Sequence, residues 1–164
     1  QTCALPIYLI KEISLADLVR RVIKRNSRDF ISKGISVDME AVEGTAYSDA
    51  KWLEFIMNQL IGNAIKYTKE REGKVIIHTV RNENSIVLTI EDNGIGIPEE
   101  EQEHVFERFY RVDKSHSREI GGTGLGLAIA RNAILMHRGA IRIDSEEGAG
   151  TQITVRIPLI FVSK

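Results

Sequence analysis

The chain has 164 residues, a length for one domain with a real core and too short for two ordinary ones. Hydrophobic residues make up 43% and charged residues 27%, a globular balance, and a formal net charge of -1 offers no basic excess to hold nucleic acid or an anionic membrane. No apolar run reaches the ~18 residues of a membrane span, and the single cysteine, Cys3, excludes an intrachain disulfide and fits a reducing compartment.

Residues 1–10 are mildly apolar but too short, and lack the basic start of a signal peptide. They read only as a remnant or linker, and one domain is expected over 11–164. From 15 to 31, Leu15, Leu18, Val19, Val22, Ile23, Phe30 and Ile31 recur at helical spacing behind a capping Ser14, and Gly34 ends that helix. Residues 35–40 alternate like a strand. Asp49 is placed to cap a helix over 50–67. The β-branched runs 74–80 and 85–91, joined by Asn82-Glu83-Asn84, predict a hairpin. Pro98 and the acidic residues after it predict a short helix through Phe106, with Phe106 and Phe109 as core anchors on one face. Residues 111–123 have no helix or strand period and predict a mobile loop. A helix over 124–137, stopped by Gly139, precedes strands at 140–145 and 151–159 joined by a Glu-Glu-Gly-Ala-Gly turn. Helices mixed with a largely antiparallel sheet predict an α/β (α+β) two-layer sandwich.

Three segments carry chemistry. At 100° per residue, Gln59, Asn63, Lys66 and Tyr67 share an arc of roughly 100° on the 50–67 helix, beside an apolar stripe of Leu53, Ile56, Met57, Leu60, Ile61 and Ala64. That edge shows amides, an ammonium and a phenol, and an amide oxygen suits a Mg2+ that already rides on phosphates. Asp92 ends a strand and opens Asn93-Gly94-Ile95-Gly96-Ile97-Pro98, where a fixed carboxylate can accept from an exocyclic amine such as that of adenine. A plain turn needs only one of those glycines. Gly121-Gly122-Thr123-Gly124-Leu125-Gly126-Leu127 opens a helix whose free N–H groups can point at an anion. No strand leads into that loop and no Gly-Lys-Ser/Thr follows, so it is neither a dinucleotide fingerprint nor a Walker loop. Between the loops, Arg111 stands at the start of the mobile segment, where a guanidinium can reach a terminal phosphate. Together these parts read as an ATP site.

Asn63-Ala-Ile-Lys-Tyr-Thr, Asp92-Asn-Gly-Ile-Gly-Ile-Pro, Phe106-Glu-Arg-Phe-Tyr-Arg and Gly122-Thr-Gly-Leu-Gly-Leu resemble, in order and spacing, the N box, first glycine box, F box and second glycine box of bacterial sensor histidine kinases. Gly150-Thr151 is similar to the family's last small motif. The resemblance implies the Bergerat ATP-binding fold, shared with DNA gyrase, mismatch-repair and heat-shock chaperone ATPases: a mixed, mostly antiparallel sheet covered on one face by helices, with a mobile ATP lid. It makes Asn63 the Mg2+ ligand, with Gln59 a second candidate standing where many members have asparagine. Lys66 and Tyr67 would approach the phosphates and Asp92 the adenine amine. Gly94, Gly96 and Ile97 would shape the base pocket. Tyr110 and Arg111 would lie against the nucleotide, with Arg111 on the transferring phosphate. Gly122, Thr123, Gly124, Leu125 and Gly126 would hinge and cradle the lid, and Thr151 would complete the set. Asn63, Lys66 and Arg111 would carry catalysis.

Hydrolytic relatives place a glutamate four residues before the metal asparagine, where Gln59 cannot act as a base. Phosphoryl transfer is therefore favoured over water attack, leaving an ATPase or serine kinase of the same fold, or a non-catalytic nucleotide-binding module, as alternatives. No histidine here fits a phosphoacceptor, which an acidic residue directly follows. His78, His104, His116 and His137 precede Thr79, Val105, Ser117 and Arg138. His78 reads as a packing or surface residue and the others as solvated. The resemblance thus implies a cytoplasmic catalytic domain of a membrane-held sensor. Its partners would be the parent's dimerisation and histidine-phosphotransfer domain and a response-regulator receiver domain, with no nucleic acid and no membrane insertion of this chain.

Overall fold

A computed structural model describes residues 9–69, 71–107 and 126–159. In chain order, β1 (Ile10–Ser14) leads into α1 (Leu15–Arg25) and α2 (Ser27–Lys33), and β2 (Ser36–Ala41) and β3 (Thr45–Asp49) precede α3 (Ala50–Tyr67). The hairpin strands β4 (Lys74–Arg81) and β5 (Ser85–Asp92) come next, then a 3-10 turn at Glu99–Glu101, then α4 (Gly126–Met136), β6 (Ala140–Glu146) and β7 (Gly150–Pro158). The main sheet runs β2-β4-β5-β7-β6. Only β2 lies parallel to its neighbour. A separate antiparallel pair joins β1 to β3.

Alternation decides which face of the sheet is covered. Val75, Ile77, Ile86, Leu88, Ile90, Ile153, Val155 and Ile157 project from one face and are buried against Leu53, Ile56, Met57, Leu60, Ile61 and Ala64 of α3 and Ala130, Ala133 and Ile134 of α4. Each fully buried aliphatic side chain contributes about 1.5–3 kcal/mol of transfer free energy. The two-layer sandwich is therefore the observed architecture, and strand and helix bounds fall within a residue or two of those expected from pattern. Among the described residues no helix is long and apolar enough to cross a membrane.

Three local expectations fail. The predicted 15–31 helix breaks at Asn26, whose side-chain amide turns back to Val22 O at 2.8 Å and also reaches Asn58 Oδ1 at 3.0 Å. An asparagine that competes for backbone carbonyls in this way favours a break over a continuous helix. The helix expected through Phe106 is a 3-10 turn followed by further turns, closed by i to i+3 bonds such as Glu101 N to Pro98 O (2.9 Å) and His104 N to Glu101 O (3.0 Å). Phe106 is only half-buried and faces the Arg131 guanidinium at 5.6 Å, outside the core. Phe109 lies outside the described residues. Strands β1 and β3 had no expectation at all.

Candidate functional site

Asp49 starts the site helix. Its carboxylate accepts from Lys51 N (3.0 Å) and Trp52 N (3.1 Å) and, across β1, from Leu9 N (2.8 Å). Burial works to raise its pKa, but the three backbone donors and the nearby His137 charge outweigh it and hold the group below its ordinary value. At the far end of α3, Gln59, Gly62, Asn63, Lys66 and Tyr67 form a half-buried polar edge flanking the buried stripe. A Cβ at Gly62 would meet nothing among the described residues within 4 Å. Among the described residues, the side chains of Gln59, Asn63, Lys66 and Tyr67 have no hydrogen-bond or ion-pair partner. Uncommitted amides, an ammonium and a phenol in one strip have the chemistry that could hold a hydrated metal polyphosphate. Among the described residues no group of three or more His, Cys, Asp or Glu side chains is arranged to hold a metal ion. A Mg2+ here would therefore be held by phosphate oxygens and water with one or two amide oxygens, a set that fits this ion.

Asp92 lies at the end of β5, paired with Thr151 of β7. Burial pushes its carboxyl up to about 6, against the lowering effect of backbone donors Gly94 and Thr151. The Gly94 N–H donates to Asp92 Oδ1 at 2.9 Å. Gly94 admits no side chain, because a Cβ would sit 1.9 Å from Tyr67 O, the carbonyl to which the next residue, Ile95, donates at 3.0 Å. The glycine loop is thereby fastened to the last turn of α3. Gly96 takes φ +71° and would place a Cβ 2.1 Å from Glu146 O, so only glycine fits there. The loop docks on β6 through Ile97 N to Ser145 Oγ (2.8 Å), and Gly148 N donates to Ile95 O (2.7 Å).

Asp92, Gly94, Gly96, Ile97, Thr151 and the backbone of Tyr67 thus form one assembly, and Gln59, Asn63 and Lys66 share the helix edge that leads into it. Tyr110, Arg111, Gly122, Thr123, Gly124 and Leu125 lie outside the described residues, as does the predicted 111–123 lid, and Gly126 is the first residue of α4. Sequence reasoning missed three organising residues. Ser145 Oγ takes Ile97 N, donates to Gly150 O (2.9 Å) and shares a bond with Thr151 Oγ1 (2.8 Å). Gln102 Nε2 bridges Ile97 O and Ser145 O, both at 2.9 Å. Lys33 Nζ reaches Ile65 O and Lys66 O. Only the placement of Ser145 near the Gly150-Thr151 motif could have hinted at its role. His137 also departs from expectation: it is 7% exposed, with Nδ1 2.7 Å from Ala133 O, because the end of α4 packs toward the Asp49 end of α3. His116 lies outside the described residues.

Asn58 and Glu54, the alternative asparagine–glutamate register on α3, are committed elsewhere. Asn58 pairs with Asn26, and Glu54 pairs with Arg25 at 2.8 Å. Neither belongs to the glycine-loop end.

Known proteins resemble this chain in sequence and in fold. The chain is 41% identical over 128 residues to the sensor histidine kinase RppB of Synechocystis sp., covering 78% of this chain and 28% of that protein. It is 45% identical over 104 residues to the sensor histidine kinase WalK of Bacillus subtilis, covering 63% and 17%. The chain therefore spans less than a third of these relatives. Among solved structures, the mycobacterial sensor histidine kinase MprB superposes with a TM-score of 0.79 at 26% identity, over 94% of this chain and 100% of that one. The catalytic domain of histidine kinase ThkA gives 0.78 at 26% identity, over 92% and 96%. Residues 48–160 match the description "Histidine kinase-, DNA gyrase B-, and HSP90-like ATPase". The half-buried Asp92, its glycine floor and the polar helix edge all fall within that match, and the chain belongs to this ATPase family.

Proposed function

We propose that this chain is the catalytic, ATP-binding part of a two-component sensor kinase. It binds Mg–ATP and passes the γ-phosphate to a histidine on a separate dimerisation domain, from which a response-regulator receiver domain takes it on. The observation that carries the reading is Asp92: a carboxylate desolvated to a pKa of about 6, pinned by Gly94 N, on a floor where glycine alone fits. That group awaits a neutral N–H donor, and the adenine amine is one. Lys66, Tyr67 and Asn63 on the adjoining edge would engage the phosphates and their Mg2+, with Gln59 as a second metal-side amide. Arg111 and the 122–126 loop would close over them. When bound, Mg2+ would neutralise charge on the β- and γ-phosphates.

In the transfer, a histidine nitrogen supplied in trans forms a bond to the γ-phosphorus as the bond to the β–γ bridging oxygen breaks, and ADP leaves with that electron pair. The chain's own part is positioning and charge complementarity. Phosphoryl transfer is favoured over water attack, since position 59 is an amide that cannot act as a base. The sensor-kinase relatives at 41% and 45% identity support the same reading.

Calorimetric titration with ATP and Mg2+ should show binding that Asn63→Asp weakens at least tenfold. Incubation with ATP and a dimerisation-helix fragment should yield acid-labile, base-stable phosphate on the fragment. Absence of ATP binding, or release of inorganic phosphate with no transfer, overturns the proposal.

A further inference from the structure

The last four carbonyls of an α-helix have no partner inside the helix and carry its negative end, equivalent to about half an elementary charge. In α3 all four are accounted for. Ala64 O takes Thr68 N at 3.0 Å and Tyr67 O takes Ile95 N at 3.0 Å. Ile65 O and Lys66 O both accept from the Lys33 ammonium, at 2.5 and 3.3 Å. Lys33 stands 32 residues away in sequence at the end of α2, half-buried. Its own backbone is fixed, since Arg71 N donates to Lys33 O at 2.7 Å and Gly34 terminates α2 in the left-handed conformation.

The arrangement has an electrostatic meaning on the nucleotide reading above, on which this inference rests. Lys66 and Tyr67, assigned to the phosphates, belong to this same last turn. A helix C-terminus is the wrong pole to offer a triphosphate, because its carbonyls repel the anion that the side chains attract. An ammonium seated on two of those carbonyls reverses the local sign. It also satisfies acceptors that would otherwise be desolvated without partners. We infer that Lys33 is a positioning residue for the polyphosphate: through the carbonyls of Ile65 and Lys66 it neutralises the negative end of α3 and fixes the turn that presents Lys66 and Tyr67.

Charge and clamp make different predictions along a ligand series. Binding of adenosine, ADP and ATP, the last two with Mg2+, would be measured by calorimetry on the full chain, the unaltered protein first. Lys33→Met should weaken ATP about three- to tenfold and ADP less, and leave adenosine within twofold, as expected for removing one charge near a helix end. Lys33→Arg should restore ATP to within twofold. Lys51→Met, an equal charge change on an exposed residue at the other end of α3, should bind all three as the unaltered chain does. Should Lys33→Met fail to fold, Lys33→Gln, which keeps an N–H donor without the charge, is read in its place. Equal weakening of all three ligands, or ATP binding unchanged in the Lys33 variants, overturns the inference while leaving the nucleotide site intact. Absence of ATP binding by the unaltered chain overturns both.

Discussion

Asp92 shows how one side chain sets stability against function. Its carboxyl is raised from 3.8 to about 6 by burial, so the folded state holds the proton more tightly than the unfolded one. Its contribution to folding stability is therefore full below about pH 4, declines as the pH rises through 4 to 6, and stays lost above that. A carboxyl displaced that far costs on the order of 3 kcal/mol at neutral pH. Asp92→Asn keeps an acceptor for Gly94 N without the charge, so it should raise the thermal midpoint at pH 7.5 by several degrees while abolishing ATP binding. The gain should vanish at pH 4, and denaturation scans at the two pH values check it. In the unaltered protein, an amine donor favours the ionised carboxylate, so ATP affinity should fall as the pH drops below about 6. The place of Asp92 at a strand end before two glycines was readable from sequence. Its proton affinity was not, since that depends on desolvation in the folded molecule.

At the scale of elements, α3 organises the site with a different device at each end. The N-terminal device was legible, because an aspartate immediately before a helical pattern is a cap by composition alone. Lys33 was not, since a lysine ending a surface helix reads as solvated, and nothing local tells which carbonyls it will find 32 residues later. The break at Asn26 was missed for the same reason: its partner Asn58 lies on another helix. Asp49→Ala removes the acceptor for three backbone donors in a buried position. It should lower unfolding free energy by about 2 kcal/mol or more, measurable as a reduced urea midpoint with unchanged slope.

Across the whole molecule, long periodic segments were readable and short, irregular ones were not. The hairpin of β4 and β5, the two C-terminal strands and α3 follow from alternation or helical spacing over seven or more residues. Strands β1 and β3 have five residues each and form their own two-stranded sheet, too short to show a period. The glycine loop was legible as a cradle, yet what holds it, Ser145 and Gln102, depends on a crossing between distant strands. The Asp49 carboxylate receives the Leu9 amide on Oδ2 and those of Lys51 and Trp52 on Oδ1, so one side chain fastens the start of the first strand to the start of the site helix. Amide deuteration should accordingly report one shared opening: protons at residues 10–14 and at 51–53 ought to exchange with matching protection factors. Asp49→Ala should collapse both sets together while the amides of β5 and β7 keep theirs.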